Sequence, residues 1–301
     1  MSKGDSKFVI WAALIGNGLI SVIKFIAAFL SGSSAMLSEG IHSLVDTGNQ
    51  VLLLYGLKRA AKPADKNFPF GHGKEIYFWS FVVAISIFGI GAVVAIYEGV
   101  HHLLEPTELK DVSMNYIVLG LAIVFESFVW LVAVKEFRRV KGKHGFFAAV
   151  KYSKDPSIFV VLFEDTAALL GLLVALLGTY LGDVHNIWWA DGGASIVIGL
   201  ILAGTAAWLA YETKSLLIGE AAAQEDVDGI RQLADEVDGV EKVKEVLTVH
   251  MGPDFVLANI TVDFDNEVRA GQIEEAIEKL DSAIKARYPA VKRVFVELES
   301  Q

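Results

Sequence analysis

The sequence has no cysteine, so it can build neither a disulfide framework nor a Cys-based zinc site. It is poor in charge: 21% of its 301 residues are charged and 53% are hydrophobic. A soluble domain carries roughly a quarter charged residues and under half apolar ones. A purely soluble enzyme, a disordered chain and a fibrous repeat are thereby excluded. There is no Gly-rich nucleotide loop, which argues against ATP-driven chemistry, and no His-Glu-x-x-His pair of the kind metallohydrolases use. Basic residues are in deficit, with a net charge of −10, so nothing favours a grip on nucleic acid or anionic lipid.

The apolar residues fall into blocks long enough to cross a bilayer core, each of about twenty residues. Six are evident, at Phe8–Leu30, Ser34–Leu57, Ile76–Val100, Met114–Val134, Ser157–Leu181 and Ile187–Tyr211. The polar start, Met1 to Lys7, is too short for a transit peptide, so the first block reads as a retained span. Charge then separates two regions. Residues 1–211 carry 16 acidic and 16 basic side chains, whereas residues 212–301 carry 20 acidic and 10 basic. The expected organisation is a membrane domain over 1–211, a linker over 212–224 and a soluble domain over 225–301.

Loop charges set an orientation. Lys58, Arg59, Lys62, Lys66 and Lys74 lie between spans two and three. Lys135, Arg138, Arg139, Lys141, Lys143, Lys151 and Lys154 lie between spans four and five. The alternate loops hold Lys110 alone, and the positive-inside rule therefore places both termini in the cytoplasm. The tail turns to soluble periodicity. A helical stripe over Asp226–Val237 is followed by β-branched runs at Val243–Val249 and Val256–Phe264, flanking Gly252-Pro253. A second helix at Ala270–Arg287 and a strand at Val291–Leu298 complete an α-β-β-α-β order. The fold class is an α-helical membrane protein of six spans with a C-terminal α+β domain.

Ionisable groups inside spans cost roughly 2.5–3.5 kcal/mol each on insertion scales, so each needs a reason. His42 and Asp46 stand four residues apart on span two, which stacks them on one face about 6 Å apart at Cβ. An imidazole and a carboxylate at that separation can share a small divalent cation. Glu164-Asp165 is a carboxylate pair near the middle of span five. A single His on an apolar helix is more often a satisfied core residue than a ligand. His-x-x-x-Asp in one span with Glu-Asp in another leaves too much negative charge for buried structure alone, and zinc accepts these donors. Asn17, Lys24, Glu98, Glu126 and Asp191 are open to either reading, interhelical bonds or a water path, and Lys24 could neutralise a carboxylate. Glu39, three residues before His42, suits a supporting role or the cavity mouth. Gly89, Gly91 and Ala92 are expected to permit close helix approach.

At these residues the chain resembles the cation diffusion facilitator family of zinc transporters. Gly32 to Asp46, reading Gly-Ser-Ser-Ala-Met-Leu-Ser-Glu-Gly-Ile-His-Ser-Leu-Val-Asp, is similar to the family's second-helix signature. Phe70-Gly71-His72-Gly73-Lys74-Glu75 resembles the stretch that leads into its third helix. The resemblance implies a homodimer that exchanges a divalent cation, usually Zn2+, for protons, with the metal as substrate and no resident cofactor. It implies a C-terminal domain like a metallochaperone. It implies ligands at His42, Asp46 and Asp165, with Val161 standing where a fourth ligand is expected and Glu164 as the candidate replacement. On a regular helix Glu164 points about 100° away from Asp165, and a water or local unwinding could complete the shell. The Glu-Asp pair is similar to a branch of animal mitochondria and bacteria, and a bacterial inner membrane is the expected location. Asp65 and His72 lie where some members hold a loop zinc, with His72 read as structural in its Gly-flanked turn. His250 and Thr261 are all that remains of a binuclear site in the tail, which is therefore expected to be missing or altered, and His144 is a lone loop His. Mn2+, Fe2+ or Co2+ accept the same donors. A membrane metalloenzyme and a non-transporting metal sensor are the competing classes.

Overall fold

The computed structural model describes residues 3–106, 112–141 and 154–299. Lys110, Lys143, His144 and Lys151 lie outside the described residues. Six long helices come first: α1 (Lys3–Ser31), α2 (Ser34–Ala60), α3 (Glu75–Leu104), α4 (Val112–Lys141), α5 (Pro156–His185) and α6 (Ala190–Ile218). Five of them are long and apolar enough to cross a membrane. The remaining one, α2, is 27 residues long and carries the buried polar residues Ser38, Glu39, His42, Ser43, Asp46 and Asn49. The helices outrun the apolar blocks, because a helix can continue into its polar flanks without breaking its backbone ladder. Thus Lys58 and Arg59 form the last turn of α2, Lys135 to Lys141 continue α4, and α6 runs past Tyr211 to Ile218.

Two features of the bundle were not visible in the pattern. The third helix contains a π-helical stretch at Ile87–Ala92. Gly89, expected at a close contact, faces open space, and Gly91 meets only a Leu202 methyl at 3.4 Å. The tight approach lies about two turns further on, where a Cβ on Gly99 would fall 2.6 Å from the Gly192 carbonyl oxygen. Glycine is required there because the backbones of α3 and α6 leave no room for a side chain.

The C-terminal fold runs α7 (Gln224–Asp235), β1 (Val240–Gly252), β2 (Phe255–Phe264), α8 (Ala270–Arg287) and β3 (Val291–Leu298). Strand β1 pairs antiparallel with β2 through the Pro253-Asp254 turn, and β3 joins the other edge of β2 in parallel after the α8 crossover. Ile230 and Ala234 of α7, with Leu280 and Ile284 of α8, pack on Val243, Val246, Ala258, Ile260, Val262 and Val291 of the sheet. The helical stripes and the strand alternation are therefore one hydrophobic core seen from two sides.

The chain divides into two compact units, residues 1–57 with 78–213, and residues 58–77 with 214–301. The second unit thus includes the segment between α2 and α3, which packs on the β1–β2 hairpin. A Cβ on Gly73 would fall 2.5 Å from the Met251 carbonyl oxygen and 3.1 Å from the Gly252 Cα. Phe70 meets the edge of Phe295 at 6.5 Å between ring centres. Backbone cannot yield as a flexible side chain does, so Gly73→Ala is expected to destabilise this unit by about 1–3 kcal/mol. Thermal unfolding of the purified variant checks this, and an unchanged midpoint would contradict the packing.

Candidate metal centre

The α2 helix presents its polar residues on one face because Glu39, His42, Asp46 and Asn49 recur at three- and four-residue steps. His42 Nδ1 lies 3.3 Å from Asp46 Oδ1. That approach lacks hydrogen-bond geometry: both ring nitrogens of His42, and Asp46 Oδ1, have no hydrogen-bond partner although all are buried. On α5, Asp155 caps the first turn by accepting from Ser157 N at 3.0 Å, with Pro156 at the first helical position. Nine residues on, Glu164 and Asp165 are both buried, and Asp165 Oδ2 also has no hydrogen-bond partner. Buried polar atoms are nearly always paired, so these four on two helices are the candidate donor set.

Glu164 turns towards α2. The α5 helix is unbroken from Pro156 to His185, with no local unwinding at this pair, and Glu164 faces α2. Its Oε1 accepts from Asn49 Nδ2 at 2.6 Å, and its carboxyl is a close electrostatic neighbour of Asp46. Val161, one turn before Asp165, is half-buried and supplies no donor. Among the described residues, no three His, Asp or Glu side chains converge tightly enough to hold a metal ion. The structure brings three of the four candidates together in pairs, His42 with Asp46 and Asp46 with Glu164, and leaves Asp165 outside them, so there is no closed cage.

Two further groups join this polar core. Glu126, near the middle of α4 and buried, lies within electrostatic reach of Asp46, Glu164 and Asp165. A lone carboxyl deep in an apolar span was its only signal in the sequence. Lys24 of α1 lies 3.0 Å from Glu39 Oε2 and 2.7 Å from Ser43 Oγ. Glu39 is fully buried by that pairing and is not at a cavity mouth. Asp191, at the start of α6, turns out to cap α2. It accepts from Ser33 Oγ at 2.5 Å, Ser34 N at 2.6 Å, Ser34 Oγ at 2.9 Å and Ala35 N at 3.3 Å.

The remaining candidates are in the second unit. His72 Nε2 meets Asp65 Oδ2 at 2.9 Å, and its Nδ1 lies 3.7 Å from Glu75 Oε1, which Arg59 also binds at 2.6 Å. Asp65 further accepts from the backbone of Asn67 and Phe68. The His72 hydrogen bond, with these two backbone donors, holds its carboxyl below the usual range. Both side chains are thus engaged in shaping the loop. In the C-terminal sheet His250 stands opposite Val256 and Thr261 opposite Glu245, five positions apart along β2, so the register does not bring them together.

The sequence matches the model of the cation efflux transmembrane domain over residues 10–218 and that of the cation efflux protein cytoplasmic domain over residues 222–301. The chain belongs to the cation diffusion facilitator family. Members are transporters rather than enzymes, and the metal is what they carry rather than a cofactor. As a member of this family it is an integral membrane protein. It is 35% identical over 268 residues to a human protein named proton-coupled zinc antiporter SLC30A9, mitochondrial, covering 88% of this chain and 47% of that one. It is 23% identical over 292 residues to the cation-efflux pump FieF of Escherichia coli, covering 96% of this chain and 92% of that one. The chain spans about half the length of the curated relatives it matches first. Among solved structures, a nickel form of the MamM C-terminal domain matches with a TM-score of 0.25 and 22% identity, over 26% of this chain and 99% of that one.

Proposed function

We propose that this cation diffusion facilitator exchanges Zn2+ for protons, moving the metal out of the cytoplasm, with His42, Asp46, Asp165 and Glu164 as ligands. The observation that carries the reading is the set of buried, unpartnered polar atoms on His42, Asp46 and Asp165. With neutral imidazole, metal-bound carboxylates offset the charge of a divalent cation. Metal binding needs deprotonated ligands and so expels protons, which makes the two cargoes alternatives for one set of atoms. If the metal-loaded and proton-loaded forms reorient and the empty charged form does not, exchange is obligatory. The name of the human relative supports zinc and protons as the pair.

In this reading residues 1–211 conduct the ion, and residues 225–301, joined by 212–224, form a cytoplasmic domain that supports a homodimer. The loop-charge asymmetry supports cytoplasmic termini. The test is zinc uptake into proteoliposomes under an imposed proton gradient. Zinc movement against its own gradient, collapsed by a protonophore, is expected. Zinc flux indifferent to the proton gradient would sink antiport, and preference for Mn2+ in direct competition would replace zinc with a harder cation, as an oxygen-rich donor set allows.

A further inference from the structure

We propose that the Lys24–Glu39 ion pair, seated against Gly171, is the gate that closes the ion path on the α1–α2 turn side of the metal centre. The inference rests on the reading of His42 and Asp46 as the transport site. Glu39 precedes His42 by three residues, about 4.5 Å along the helix axis, towards the turn that begins α2. Gly171 follows Asp165 by six residues, about 9 Å along α5 in the same direction, since α5 runs antiparallel to α2 through the bundle. Lys24, seven residues before the end of α1, reaches the same level. Three helices therefore meet in one layer, immediately beside the site.

That layer is closed. Side-chain exposure falls from 10% at Asp46 to 1% at His42 and to none at Glu39 and Lys24. The Lys24 ammonium is held by Glu39 Oε2 and Ser43 Oγ. The other carboxylate oxygen, Glu39 Oε1, is buried, has no hydrogen-bond partner and occupies the place a Cβ on Gly171 would take. A missing side chain on α5 is thus filled by a carboxylate from α2. An ion leaving His42 in this direction meets a closed ion pair and a filled gap. A buried pair also suits a gate energetically, because its attraction and its desolvation cost nearly cancel, so separating the partners towards water is affordable. Passage requires α5 to withdraw from Glu39, which lets water reach the pair.

The absence of native cysteine makes thiol labelling free of background. Asn49→Cys reports access from beyond the site, and Trp188→Cys, in the α5–α6 turn, identifies the face treated with an impermeant thiol reagent. With Lys24 and Glu39 intact, reagent on the Trp188 face is expected to label Asn49→Cys slowly. Lys24→Ser with Glu39→Ser should raise that rate about tenfold or more, as the closed state loses its latch. Glu39→Gln alone, which keeps the shape and removes the charge, should give a smaller rise and serves if the double variant does not fold. An unchanged rate in the variants that fold overturns the gate. Failure of the transport-site reading shows differently, as zinc flux that survives loss of His42.

Discussion

Replacing His42 or Asp46 by alanine is expected to lower zinc uptake in proteoliposomes by more than about a hundredfold, since even supporting residues around a metal cost 10–100-fold. The two side chains share one face of α2, and neither can be replaced by a neighbour, because the next donor on that face, Asn49, is spent on Glu164. Asp46 sits between the other groups, 3.3 Å from His42 and within electrostatic reach of Glu164. In the proposed transport site its loss removes a ligand and leaves Glu164 beside Asn49. Wild-type uptake in Asp46→Ala would remove that residue from the site. Binding of zinc to the same variants, measured in detergent by calorimetry, should fall in step with flux, which separates loss of a ligand from loss of the conformational cycle.

Asp191→Ala should be the most damaging single change to stability in the membrane unit. One carboxylate satisfies the Ser34 and Ala35 amides at the start of α2, orders Ser33, and places negative charge at the positive end of the helix dipole. Ser33 Oγ in turn accepts from Met36 N at 3.0 Å, so the whole first turn depends on it. Alanine leaves buried amides without acceptors, a loss of about 3–5 kcal/mol. Thermal unfolding in detergent is expected to move down by roughly ten degrees, since each kcal/mol is worth roughly 2–4 °C in a domain of this size. Asp191→Asn, which keeps an acceptor and drops the charge, should lose about half as much. A midpoint within a degree of wild type for Asp191→Ala would show that water replaces the cap.

The spans were legible because hydropathy is additive and local. A run of apolar residues is costly in water whatever its neighbours, and a charge in such a run is costly in lipid. The pairing of His42 with Asp46 was legible for a similar reason, as the helical period alone stacks residues four apart. The α-β-β-α-β order of the tail followed from Ile230, Ala234, Leu280 and Ile284 recurring at helical steps and from the Gly252-Pro253 turn. Helix ends were less legible, since α4 continues to Lys141 and α6 to Ile218 through polar residues that suit a helix as well as a loop.

Composition and periodicity by themselves thus determined that this chain crosses a membrane, carries a soluble domain and holds ionisable groups where lipid should be. The reason is that burial costs and helical spacing act over a few residues at a time. Only the tertiary structure decided that Glu164 reaches Asn49 and Asp46, that Lys24 neutralises Glu39 against Gly171, that Glu126 joins the carboxyls, and that Asp191 caps a helix 157 residues earlier in the chain. Those contacts depend on how each helix is rotated about its own axis and which helix stands beside it. No short-range pattern records rotation or neighbour, because both are fixed by the packing of all the helices at once.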